Sequence, residues 1–132
     1  MNYYTKIKNE LINNETYKKV KDHSKNKSDL TTYYNVGKLL SLAGKQYGEG
    51  IIKEYSKKLT NELGKGYGTS NLKNMRRFYL LFSKSQAVPG QLSWSHYIEL
   101  LVLDDINAIN YYINISINQN LSYRNLYEKI KI

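Results

Sequence analysis

The sequence has no cysteine, so neither a disulfide scaffold nor a cysteine-ligated zinc site is open to it. It has one proline, Pro89, so long stretches can run helical without interruption. Its two histidines, His23 and His96, lie far apart in the chain and make a poor basis for a metal site. No apolar run approaches the roughly 18–20 residues that a membrane-spanning helix needs. The opening MNYYTKIKNELINN is mixed and polar and carries no secretion signal, which makes the cytoplasm the expected compartment. Hairpin turns of the Asn-Gly or Asp-Gly kind are missing and the β-branched residues are scattered, so strands are not expected.

What is present is a chain of 132 residues, 41% hydrophobic, with 14 tyrosines. That length predicts a single domain over residues 1–132, and the hydrophobic fraction is enough for one core. Periodicity predicts an all-α, compact multi-helix bundle of about seven helices. The first is expected over about 3–23, with Tyr4, Ile7, Leu11, Tyr17 and Val20 along one side. A polar loop, Ser24-Lys25-Asn26-Lys27-Ser28, separates it from a second helix over about 29–47. That helix carries Leu30, Tyr33, Tyr34, Gly37, Leu40 and Leu42. A third runs over about 51–63, with Ile51, Ile52, Tyr55, Leu59 and Leu63 inward, and Gly64 stands where a left-handed C-terminal cap is wanted. After the turn Lys65-Gly66-Tyr67-Gly68, Thr69 or Ser70 can cap a fourth helix ending near Phe82. A loop with Pro89 and Gly90 precedes a fifth helix from about 93–95 to 103. A sixth is expected over about 104–117, and Ser122 caps a seventh over 123–131.

The net charge is +9, unevenly spread. Residues 1–30 carry +3, residues 31–52 carry +1 and residues 85–132 carry −1. Residues 53–84 hold 8 Lys/Arg against 2 Asp/Glu, or +6. A concentrated basic stretch suits a phosphate backbone, because binding there releases counterions. It equally suits a solvated lysine-rich surface.

The same stretch has the proportions of a helix-turn-helix unit, at about 51–82: two helices joined by a short glycine turn. On the second helix, Leu72, Met75, Tyr79 and Phe82 share one face. Ser70, Lys73, Asn74 and Arg77 share the opposite one, with Arg76 on the flank. Such a helix can lie in a major groove, with Arg reading guanine edges and Asn reading adenine edges. Lys65, Thr69 and Ser70 at its start can hold a phosphate beside free backbone N–H groups. The candidate nucleic-acid-binding residues are therefore Lys65, Thr69, Ser70, Asn71, Lys73, Asn74, Arg76 and Arg77. The reading requires Lys73, Asn74 and Arg77 to stand clear of the protein's own helices and carboxylates. An amphipathic helix in any basic bundle shows a similar pattern.

Specific blocks go further than periodicity. They are Tyr-Tyr-Asn-Val-Gly-Lys (33–38), Tyr47-Gly48, Leu59-Thr60, Gly64-Lys65-Gly66-Tyr67, Ser-Asn-Leu-Lys-Asn-Met-Arg-Arg-Phe-Tyr (70–79) and Leu-Ser-Trp-Ser-His-Tyr (92–97). Together they resemble the helical N-terminal domain of the YhcG-like family, over roughly residues 30–130. Leu121-Ser122-Tyr123-Arg124-Asn125-Leu126 matches more loosely; the family usually has Trp where Leu121 and Tyr34 stand. Members usually join this domain to a C-terminal nuclease of the PD-(D/E)XK type. The resemblance implies a helix-turn-helix-like domain that delivers the nuclease to DNA.

No nuclease motif occurs in these residues. Asp104-Asp105 is followed by no strand-borne Glu-X-Lys, and the pair is expected to cap the sixth helix. Gly64-Lys65-Gly66-Tyr67-Gly68 follows a helix rather than a strand and lacks the Gly-Lys-Ser/Thr ending of a phosphate-binding loop. Ser95 and His96 are neighbours that point apart on a helix. Trp94 is expected as a core anchor whose N–H needs one partner, and His96 as a backbone-bonding residue. No catalytic residue, metal or cofactor is therefore expected. Two functions stay open: a non-catalytic duplex-DNA-binding domain associated with a nuclease or another DNA-processing system, or a protein-interaction module. The latter covers a dimerisation domain, a complex subunit or an inhibitor of a nucleic-acid enzyme. It is motivated by the apolar Ile106, Ile109, Tyr111, Tyr112, Ile113, Ile115 and Ile117.

Overall fold

Gly37 allows two helices to touch backbone to backbone, and the architecture follows from that contact. The structure, a computed structural model, describes residues 2–20, 25–83 and 92–131, with the side chains of 17–20 and 25–28 excepted. Seven helices are present among them and no strand: α1 Tyr3–Val20, α2 Lys25–Tyr47, α3 Gly50–Leu63, α4 Thr69–Phe82, α5 Trp94–Leu100, α6 Ile106–Asn118 and α7 Tyr123–Lys131. The expected all-α bundle is therefore observed. Helix α2 is central, packed against α1 and α4. It starts at Lys25 rather than after Ser28, because the polar run 25–28 extends the helix that its apolar positions begin. Ser24, His23, Pro89 and Gly90 lie outside the described residues, as do the side chains of Tyr17 and Val20.

Two apolar clusters make the interior. The first takes Tyr3, Ile7 and Leu11 from α1, Val36, Leu40 and Ala43 from α2, Ile52, Tyr55 and Leu59 from α3, and Leu72 and Met75 from α4. The second gathers Phe78 and Phe82 of α4 with Tyr97, Leu100, Ile109, Ile113 and Leu126. Leu42, read as part of the apolar side of α2, is exposed; Val36 and Ala43 are buried. Helix α4 belongs to both clusters, and Tyr33 and Trp94 pack against both. Trp94 lies with its ring centroid 4.9 Å from that of Tyr33 and 5.2 Å from that of Phe78. Its indole N–H donates to Asn71 Oδ1 at 3.1 Å, supplying the partner a buried indole requires.

The helix ends follow local chemistry. Gly64 has φ 98°, the positive region expected of a glycine terminator, although its ψ of −152° is not helical. Ser93 caps α5 in a capping box with His96: the Ser93 side chain accepts from His96 N–H, and the imidazole Nδ1 accepts from Ser93 N–H. The other ring nitrogen of His96 meets Leu121 O at 2.7 Å, tying α5 to the start of α7. Asp105 caps α6 through Asn107 N–H, and Ser122 caps α7 through Asn125 N–H. At α4 the expected cap is corrected. Gly68 holds the cap position, and Thr69 and Ser70 fall inside the first turn with no side-chain cap.

Candidate nucleic-acid interface

Helix α3, the glycine turn and α4 form a unit pinned from both sides. Ser56 Oγ donates to Tyr67 O at 2.8 Å, and Asn71 Nδ2 donates to Gly66 O at 2.7 Å. Leu72, Met75, Phe78 and Phe82 anchor α4 inward. Tyr79, expected on that side, is half-buried, and Phe78 takes the fully buried position. The outward strip holds Ser70, Lys73 and Leu80, all exposed.

The sequence-derived candidates divide into two groups. Lys65, Ser70 and Lys73 are exposed and Thr69 and Asn74 half-buried. The first described main-chain bond at the start of α4 runs from Leu72 N–H to Gly68 O, so the N–H groups of the preceding first-turn residues have no acceptor within the helix. Asn71, Arg76 and Arg77 serve the fold. Asn71 is bonded at both ends of its amide, to Gly66 and Trp94. Arg77 donates to Leu101 O at 2.6 Å, to Leu103 O at 2.9 Å and to Asp104 Oδ1 at 2.6 Å. It clamps the α5–α6 connection, and one of the expected aspartate caps is instead this ion-pair partner. Of the three residues that had to stand clear only Lys73 does: Asn74 is half-buried and Arg77 is held by Asp104, so the condition set for reading bases with this side of α4 is not met.

Arg76 pairs with Glu49 at 2.6 Å. Hydrogen bonding and charge from Arg76, with a smaller contribution from Lys73, hold the Glu49 carboxyl below its ordinary range. Glu49 ends the α2–α3 connection, and Lys53 and Lys57 follow it at four-residue spacing on one side of α3. That side therefore adjoins the outer flank of α4. Lys53, Lys57, Lys65 and Lys73 are exposed and none has an ion-pair partner among the described residues. Lys53, Lys57 and Glu49 were not among the sequence-derived candidates. The +6 charge of residues 53–84 already counted the lysines, but only the Glu49–Arg76 contact shows which side of α3 joins α4.

No group of three or more His, Cys, Asp or Glu is placed to hold a metal among the described residues. Ser93 Oγ and His96 Nδ1 are 2.8 Å apart, the separation of a nucleophile and its base, but both are engaged in the capping box. A groove of about 520 Å³ opens between α1 and α2, lined by Lys6, Glu10, Asn35, Lys38 and apolar neighbours, away from the α3–α4 face. No described helix is long and apolar enough to cross a membrane.

The profile of the DUF1016 N-terminal domain matches residues 7–132. The chain belongs to that family. The match extends the resemblance noted in the sequence, because this is the N-terminal domain of the YhcG-like proteins, and no nuclease domain is present in the 132 residues. No curated protein and no solved structure matches the chain. Within this DUF1016 N-terminal domain, the Gly-Lys-Gly-Tyr turn and the Leu-Ser-Trp-Ser-His-Tyr block that carried the resemblance are largely architectural. The first is the pinned α3–α4 turn, and the second holds Trp94 and the α5 capping box.

Proposed function

We propose that this DUF1016 N-terminal domain binds duplex DNA without catalysis, through the face shared by α3, the 64–68 turn and the start of α4, and that it presents DNA to a nuclease or other DNA-processing partner. The observation that carries the reading is the set of four exposed lysines, 53, 57, 65 and 73, on α3, the turn and α4, none with an ion pair among the described residues. Lysine ammonium groups without internal partners hold counterions that a phosphate backbone can displace. Thr69, Ser70 and the first-turn N–H groups of α4, which have no acceptor within the helix, add a phosphate position. With Asn71 and Arg77 committed to the fold and Arg76 paired with Glu49, the contact is mainly to the backbone.

The test is gel retardation of a generic duplex. Four phosphate contacts give a log–log salt slope of about −3.6, so affinity falls roughly 150-fold between about 50 and 200 mM salt. Changing Lys53, Lys57, Lys65 or Lys73 to Ala lowers the slope by about one each and leaves the melting temperature unchanged. Absence of retardation at about 50 mM salt, or full binding by the quadruple variant, overturns the reading.

An interaction role draws on a different observation. Tyr111 on α6 is 60% exposed, and Tyr123 and Tyr127 on α7 are also exposed. Rings of this kind suit a protein interface. Concentration-dependent sedimentation of the domain supports self-association, and a strict monomer argues against it.

A further inference from the structure

The Arg76–Glu49 pair joins two unequal partners. The Arg76 side chain is 20% exposed and that of Glu49 is 72% exposed. Behind the arginine lies Gly44 of α2, whose ideal Cβ would stand 3.7 Å from the guanidinium Nη1, an ordinary contact. Glu49 occupies the cap position of α3 yet makes no side-chain bond to its own helix; its carboxylate goes across to Arg76. The acid is thus the outer, more exposed member, and the guanidinium it meets is mostly covered.

We propose that Glu49 occupies on Arg76 the position that a backbone phosphate takes when nucleic acid binds, so that Arg76 is a phosphate site closed by an internal carboxylate. The inference rests on the nucleic-acid reading above. A guanidinium offers the same donor fork to a carboxylate and to a phosphate. Lys73, whose charge already acts on Glu49, and Lys53, one turn along the same side of α3, both lack an ion pair among the described residues. An anion replacing Glu49 therefore meets three cations where the acid met mainly one. Exposed ion pairs are weak, so a phosphodiester with several cations can displace this one. Displacement selects for ligands that present phosphates in a row over single anions, because one isolated contact only matches what Glu49 already supplies.

The experiment compares Glu49→Gln with Glu54→Gln in the whole chain, with duplex DNA as the probe. Glu54 removes the same charge and frees a cation, Lys58, on the other flank of α3. Glu49→Gln is expected to bind about three-fold more tightly at low salt, a gain of the size of one exposed pair. Glu54→Gln should gain less, and adding Arg76→Ala to Glu49→Gln should cancel the gain. Circular dichroism melts confirm that each variant is folded. Equal gains in the two glutamine variants, or a gain that survives Arg76→Ala, overturn the inference while wild-type binding leaves the DNA reading standing. A wild-type chain that binds no duplex overturns both.

Discussion

Replacing Gly37 with alanine tests the packing that aims α4 outward. A Cβ built there lies 2.1 Å from Met75 O, 2.7 Å from Met75 C and 2.9 Å from Tyr79 Cβ. The obstructing atoms are helix backbone, which cannot swing aside as the tip of a long side chain can. To reach ordinary contact, α4 must retreat by about 1 Å, and the packing of Val36, Leu40, Leu72 and Met75 loosens with it. Overpacking of this kind costs about 1–3 kcal/mol, and the rigidity of the obstruction places it at the upper end. Alanine's better helix propensity returns about 1 kcal/mol. The net loss is about 2 kcal/mol, or a fall of very roughly 8 °C in melting temperature for a domain of this size. Gly44→Ala is the matched control. Its nearest neighbour, Arg76 Nη1, is at 3.7 Å, an ordinary contact, so propensity decides and stability stays level or rises. Thermal and urea unfolding of the two variants check the argument. If Gly37→Ala melts as high as Gly44→Ala, the backbone contact between α2 and α4 does not govern the packing.

Arg77→Lys should lose about 2 kcal/mol in urea unfolding, because one ammonium cannot span the two carbonyls and Asp104 that the guanidinium joins; Lys73→Ala, at an exposed unpaired site, should stay within about 0.5 kcal/mol. Glu62 is held below the ordinary carboxylate range by Lys8 and then by Tyr4, whose hydroxyl donates to it at 2.6 Å. A depressed carboxyl contributes stability that is present above the unfolded value and lost as pH falls through the folded one. The stability advantage of wild type over Glu62→Gln should therefore shrink as pH drops below 4.5, and a difference that stays constant across that range refutes the assignment.

Much of the fold was legible because its signals are local. Of the residues expected inward on α3, Ile52, Tyr55 and Leu59 are buried and Ile51 and Leu63 half-buried, and Gly64, Asp105 and Ser122 stand at helix ends as their chemistry requires. Trp94 and His96 were read as structural and are. The misplaced features depend on distant partners. The start of α2 at Lys25 defeats a loop reading based on polarity alone. Val36 and Ala43 replace Leu42 in the core because α2 is covered from two directions, by α1 and α4, and a single-sided pattern does not show the second. Asp104 carries the local pattern of a cap, but its partner is Arg77, 27 residues earlier in the chain.

The candidate site was legible as charge but not as partnership. On a helical wheel a cation looks the same whether it faces solvent or is clamped. Residue type nevertheless carried information that the wheel discarded. Between residues 53 and 82 the two arginines are both engaged, Arg76 by Glu49 and Arg77 by two carbonyls and Asp104. Four of the lysines, 53, 57, 65 and 73, have no ion pair among the described residues, and Lys58 pairs within its own helix at 3.5 Å. The division has a physical basis. A planar fork with five donors can satisfy several carbonyls and a carboxylate at once, which suits it to tie helices together. An ammonium on a flexible stem is strongly hydrated and stays in solvent unless a charge draws it. In a small helical domain of this kind, arginines on the flank of a basic helix are the first to suspect of structural duty, and lysines the first to assign to a phosphate backbone. Arg76 is the intermediate case, because its internal partner is an exposed carboxylate rather than a set of backbone carbonyls.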